Sequence, residues 1–247
     1  MERMISSLFH TLVYVPLYNG LIGLLSIGSW VDVGMAVIVL TVLAKLLLLP
    51  LSVKASRTQR MLKELEVPAK EIRERYKNDR EEQGKKLLEL YRTRGVNPFS
   101  GFVVLFIQLP IILGLYWVFL EGGLPSIDTS LLYPIIHAPH TVNMWFLGII
   151  DVSGKNLMLA VLTGVTQYVQ AHLALPDPGP RNEQATFQED FARSMQLQMK
   201  YMLPIVVGFV SYVASAAVAL YWITSNIFAI AQEWYVQRKL EHEKQTV

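Results

Sequence analysis

Uncharged or nearly uncharged apolar runs of about twenty residues constrain this chain more than any other feature. A helix of that length spans a hydrocarbon core of roughly 30 Å, and only helices and closed barrels satisfy every backbone group there. The clearest run is "GFVVLFIQLPIILGLYWVFL" at 101–120, without a charge. Others cover about 33–53 and 156–175. A longer stretch from Tyr201 to Val236 holds one charged residue, Glu233. As one helix it would be roughly 54 Å long, too much for one crossing. Two spans, 201–215 and 217–236, turning near Ala214–Ala217, fit the bilayer and keep Lys200, Arg238 and Lys239 on one side. Over half of the 247 residues are hydrophobic, and mean hydropathy is +0.34. The expected class is an all-α polytopic membrane protein with five transmembrane helices.

Lysine and arginine set the orientation. The segment 54–100 holds thirteen of them, from Lys54 to Arg94, and the loop 121–154 holds none. Positive charge stays in the cytoplasm, so the basic segment is expected inside and the 121–154 loop outside. The N-terminus is then outside and the C-terminus inside. The net charge of +2 matters less than this placement. With no cysteine, disulfides and thiol chemistry are excluded.

Two further elements flank the spans. Residues 1–30 are apolar, but Pro16, Asn19, Gly20 and Gly23 interrupt them. An amphipathic helix on the outer interface is the favoured reading, with a sixth span as the alternative. Residues 54–97 read as a cytoplasmic hairpin of two helices. Met61, Leu62, Leu65, Ile72 and Tyr76 form an apolar stripe on the first, and Leu87, Leu88, Leu90 and Tyr91 on the second. "KNDR" at 77–80 supplies the turn, and "GVNP" at 95–98 ends the second helix. Such a hairpin is either a solvated, salt-bridged element or a mobile arm that touches headgroups, ribosomal RNA or a nascent chain. The unit 31–240 forms the membrane core, with 241–247 as a cytoplasmic tail.

Lys45 stands inside the first run, where a lysine at mid-helix costs roughly 2.5–3.5 kcal/mol on insertion scales. It lies nine residues before Lys54, so its stem could snorkel toward the cytoplasmic edge. The other reading is a lysine facing a wet cavity between helices. No Asp or Glu lies in the second, third or fourth span, and Glu233 sits near the end of the fifth. The spans offer neutral dipoles instead: Thr41, Gln108, Gln167, Gln170, Tyr221, Trp222, Thr224, Ser225 and Asn226. The charge is therefore expected to meet water or an arriving group. An acid about 4 Å away, at an effective dielectric near 20, gains roughly 4 kcal/mol before desolvation.

Enzyme readings fit poorly. "HAPH" at 137–140 lacks the spacing and glutamate of a zinc-protease helix. No aspartate pair or serine–histidine arrangement lies at membrane depth, and ion-coupled transport would need buried carboxylates or matched broken helices. No enzyme activity, cofactor or metal is expected.

Four blocks carry a resemblance. "GMAVIVLTVLAKLLLLPLSVKASRTQRMLKEL", "YRTRGVNPFSGFVVLFIQLPIILGLYWVF", "LMLAVLTGVTQYVQ" and "MQLQMKYMLPIVVGF…ALYWITSNIFAIAQEWYV" resemble, in this order, the YidC/Oxa/Alb family of membrane protein insertases. The match extends over about residues 5–240. The resemblance implies insertion of short membrane proteins into the bacterial inner membrane without nucleotide hydrolysis. Implied partners are nascent substrates and the bilayer, with the Sec translocon, ribosome and signal-recognition machinery as further candidates. It implies a functional monomer and no specific nucleic acid. It also implies a groove open to cytoplasm and lipid, with one positive residue on its floor. That position, usually arginine, is Lys45 here; the groove glutamine falls on Gln170 or Gln167, and the aromatic of the fifth span on Trp222 beside Tyr221. Lysine keeps the charge but loses the planar bidentate fork. A scaffold for partner helices and a small channel are the competing functions.

Overall fold

The computed structural model describes residues 7–96, 100–120, 124–175 and 193–245, with side chains described except at 59, 63, 100–108, 120 and 239–245. Eight helices account for most of these residues. They are α1 (Ser7–Leu25), α2 (Val33–Glu64), α3 (Glu66–Arg75), α4 (Arg80–Thr93), α5 (Ser100–Leu120), α6 (Leu157–Ala174), α7 (Arg193–Ala214) and α8 (Ala216–Gln245). By length and composition, Ser7–Leu25, Val33–Leu62, Leu157–Ala174 and Arg193–Ala214 can each cross a membrane. The described apolar part of α5, Leu109–Phe119, is shorter, and α8 ends in a charged segment. The all-α polytopic class expected from the sequence is the observed one.

Element ends follow local chemistry. Asn156 caps α6 by accepting from the Leu159 amide, and Asp79 caps α4 by accepting from that of Glu82. Ser215 is extended (φ −173°, ψ 164°) and separates α7 from α8, within the turn expected near Ala214–Ala217. The first span was expected to close near residue 53, yet α2 runs unbroken to Glu64 and carries Pro50 inside it. Its 32 residues make a rod of about 48 Å. Likewise α7 begins at Arg193, eight residues before the expected span, and Lys200 is fully buried within its π turn, Gln198–Met202.

Within the bundle, α8 packs on both α2 and α6, α6 packs on α7, and α2 meets α1 and α5. Glycines set the closest approach. A methyl on Gly164 would come 3.3 Å from the Pro204 carbonyl, and one on Gly208 would come 3.2 Å from that of Ala160. Small residues at facing positions let membrane helices pack backbone to backbone.

The loop 124–156 closes one end of the bundle. The amide of Val33 donates to the Asn143 carbonyl, Ala216 to Gly154 and Ala217 to Val152, so the first turns of α2 and α8 are satisfied by one loop. Asp32 accepts from the amides of Met35 and Leu147, at 2.8 and 3.1 Å. A short antiparallel hairpin, β1 (Trp145–Phe146) with β2 (Ile150–Asp151), sits in this cap.

The second half of α1 belongs to the same assembly. Tyr18, Leu21 and Ile22 are fully buried in the main core. The Tyr18 hydroxyl accepts from the Asp128 amide, and Asn19 donates to the Leu131 carbonyl while accepting from the Tyr133 amide. Ser26 donates to the His137 carbonyl. Phe9 stacks edge-on against Trp117, and Leu17 lies over Gly114. Phe9, Val13 and Leu17, spread over eight residues of α1, thus all come near Gly114 of α5.

At the opposite end, α3 and α4 pack on one another. Ala69 and Gln83 are their buried residues, with Leu65 buried just before α3, and the Gln83 amide nitrogen donates to the Arg73 carbonyl at 2.9 Å.

Candidate functional site

Three helices leave the cap in the same direction. α2 and α8 both begin bonded to the loop, and α6 continues from it. Their cross-links keep a parallel register. Ser52 of α2 donates to the side-chain Oε1 of Gln232 at 2.7 Å, and the Gln232 Nε2 donates onward to Ser56 at 3.2 Å. Arg60 pairs with Glu233 at 2.8 Å. Between α6 and α8, Thr163 reaches the Ala219 carbonyl at 3.4 Å, and Asn226 donates to Thr166 at 3.2 Å.

This register fixes the depth of Lys45. Seven residues separate it from Ser52, about 10 Å along the axis and about 20° around it. Lys45 thus shares the stripe of α2 that carries Ser52 and Ser56 toward α8. Seven residues back from Gln232 is Ser225, so Lys45 lies level with Ser225 and Asn226. On α6 the same level holds Thr166, Gln167 and Gln170.

The candidates distribute as follows. Thr41, one turn from Lys45, is buried and donates to the Val37 carbonyl at 2.6 Å. Lys45, Gln167 and Gln170 are half-buried, and the two glutamines are bonded to each other at 3.3 Å. Asn226 is buried through its bond to Thr166. Tyr221 and Trp222 are buried in the main core, above this level toward the cap. Gln108 lies on α5, and its side chain is outside those described. Lys45, Tyr221 and Ser225 each have a contact within the fold. The expectation that only water or an arriving group meets the ammonium is corrected accordingly: Lys45 already has an interaction within the fold.

Pro50 adds a feature that sequence reasoning passed over. Its missing amide withdraws the helical donor from the Leu46 carbonyl, next to Lys45. The serine–glutamine–serine relay was also missed, since serines at 52 and 56 read as ordinary helix-surface residues without the far partner.

Two cavities flank this level. One of about 300 Å³ opens between the end of α6 and the middle of α8 and is lined by Leu173, Ile227, Ile230, Ala231, Trp234 and Gln237. The other, about 90 Å³, lies under the cap between Tyr116, Met144, Ser153 and Ser215. Neither includes Lys45. The outward faces of α6 and α7 are apolar, with Val161, Val165, Ile205 and Phe209 all exposed. Such continuous apolar exposure suits lipid rather than water.

A parallel triad of apolar helices, capped at one end and linked by side-chain hydrogen bonds along its length, defines a polytopic membrane protein. The 60Kd inner membrane protein family matches residues 25–244. Over 220 residues, 88% of this chain, it is 33% identical to "Membrane protein insertase YidC" of Francisella tularensis subsp. novicida (strain U112), covering 34% of that protein. The same values hold for the protein of that name from subsp. tularensis (strain WY96-3418). The chain belongs to the 60Kd inner membrane protein family, the YidC/Oxa/Alb family its sequence resembles. It spans about a third of the length of the curated relatives it matches. Membership and the apolar helices make it a multi-pass protein of the bacterial inner membrane.

Proposed function

We propose that this chain is a membrane protein insertase that accepts short hydrophilic tails at the level of Lys45 and releases transmembrane segments sideways into lipid. The observation that supports this reading is the register of the cross-links, Ser52 with Gln232 and Thr166 with Asn226, which puts Lys45, Asn226, Gln167 and Gln170 near one level along three parallel helices. Amides and a cation at mid-depth shorten the dry path for a polar tail, and the cation favours tails that bring Asp or Glu. The apolar cleft between α6 and α8 supplies a flank along which the following helix slides. Thr41, Gln108, Tyr221 and Trp222 complete the proposed lining or support it from behind.

The proposed topology puts the cap outside and the α3–α4 arm, with its lysines and arginines, in the cytoplasm. α1 then lies on the outer face. The bonding of residues 18–26 to the outer loop supports that reading over a sixth span. Work is done by binding and release, without nucleotide hydrolysis or a cofactor. The basic arm is the surface for the ribosome, signal-recognition machinery or Sec translocon.

Lys45 variants test this. Lys45→Arg is expected to retain insertion, because charge and reach persist. Lys45→Ala is expected to slow substrates with acidic tails by about tenfold, equivalent to 1.4 kcal/mol, and to spare neutral ones. Pulse-labelled insertion into depleted membranes measures both. Equal insertion of the two classes by the alanine variant removes the charge from the mechanism.

A further inference from the structure

The cap hairpin carries an apolar tip that nothing in the bundle uses. Trp145, Leu147 and Ile149 are exposed by 53, 57 and 76%. Phe146, between them, turns inward so closely that a methyl on Gly34 would overlap its ring. The amide of Leu147 is held by Asp32 at 3.1 Å. These two ties place the tip beside the first turn of α2. That is the depth at which an apolar span emerges from hydrocarbon. Trp30 and Ile27, in the turn that precedes Asp32, are exposed by 72 and 64%.

The backbone sharpens the point. Leu147 has φ of +52° and Gly148 of +72°. Left-handed positions in a tight hairpin favour Gly, Asn or Asp, and a leucine there is uncommon. In water this residue would bear both a backbone cost and an exposed side chain. At a lipid interface the second cost becomes a gain. The tip from Trp145 to Ile150 carries no charge; Asp151 stands at the base, folded onto Ser153, whose hydroxyl and amide hold its carboxyl below the usual range. Tryptophan beside aliphatic side chains at span-end depth is the chemistry of interfacial anchoring.

We propose that the hairpin tip Trp145–Ile149, with Trp30 beside it, is a membrane anchor that enters the headgroup–acyl boundary of the leaflet at the capped end. It would hold the cap at a fixed height against the bilayer. The inference requires only that the chain spans the membrane, and stands whether or not the chain inserts substrates.

The natural chain lacks cysteine, so single cysteines can be placed without background. Leu147→Cys, Ile149→Cys and, as control, Thr129→Cys on the exposed 129–131 turn would each take the same environment-sensitive fluorophore. The full chain would be reconstituted into phosphatidylethanolamine–phosphatidylglycerol vesicles. Iodide in the water and lipids brominated near the glycerol end would serve as quenchers. The tip labels are expected to be at least about threefold less sensitive to iodide than the control, and to be quenched by the brominated lipids. Tip labels as sensitive to iodide as the control, and blind to the lipid quencher, overturn the proposal. Shielding from both quenchers overturns it too, because a protein surface then covers the tip. Should Leu147→Cys not fold, Ile149→Cys, at an ordinary backbone position, carries the test.

Discussion

The cap and the α3–α4 arm sit at opposite ends of the same rod, α2, and are held in opposite ways. The cap is bound by long-range links: Asn19 to residues 131 and 133, Asp32 to Leu147, Ala216 and Ala217 to the 152–154 turn. Each joins segments more than sixty residues apart, so none can be lost without loosening two elements. In the arm, Lys70–Glu74, Lys85–Glu81 and Lys86–Glu89 pair within single helices and face solvent. Such pairs support a helix but position nothing beyond it. Bond number therefore says less about rigidity than the sequence distance a bond closes.

Hydrogen exchange puts this contrast at greatest risk. Amides in 66–93 are expected to exchange on the order of a hundredfold faster than those of α2, α6 and the cap bonds at Val33, Val152 and Ala217. Equal protection would make the arm a rigid element and end the comparison.

Asp32→Ala attacks the cap. It removes the acceptor for two amides at a nearly inaccessible site, and is expected to cost about 1–3 kcal/mol. Thermal unfolding in detergent reads the loss, and exchange at Leu147 should rise while the arm stays unchanged. A loss spread equally into the arm would show the two ends to be coupled.

The smallest effect comes from stiffening the arm. Gly84 lies inside α4, and a methyl there meets nothing within 4 Å. Gly84→Ala is expected to stabilise the arm by about 0.5–1 kcal/mol and slow its exchange a few fold. No change would mean that opening is limited by the α3–α4 contact rather than by helix propensity.

What the sequence disclosed divides along similar lines. Features set by nearby residues were legible: apolar run length, the basic segment, the break at Ser215, the turn before Arg80. Lys45 was conspicuous because a charge in an apolar run needs a reason. Features set by distant partners were not. Nothing local announces that Ser52 and Ser56 share Gln232, or that Asn19 bonds a loop more than a hundred residues away. The start of α7 at Arg193 escaped because hydropathy marks the part of a helix that meets lipid, whereas the hydrogen-bonded ladder continues past it. The β1–β2 hairpin escaped because its strands are two residues each, too short for alternation to register.

Pro50 gives α2 a mechanical property. Below it, Ser52, Ser56 and Arg60 bolt the rod to α8; above it, the rod carries Lys45. A helix that lacks one rung bends there more easily than elsewhere. Swings of the arm, expected from its faster exchange, would be taken up first by the bolts and then by the joint, so that little torque would reach the lysine. The charge can hold station while the arm moves, as a gimballed instrument stays level on a rolling deck.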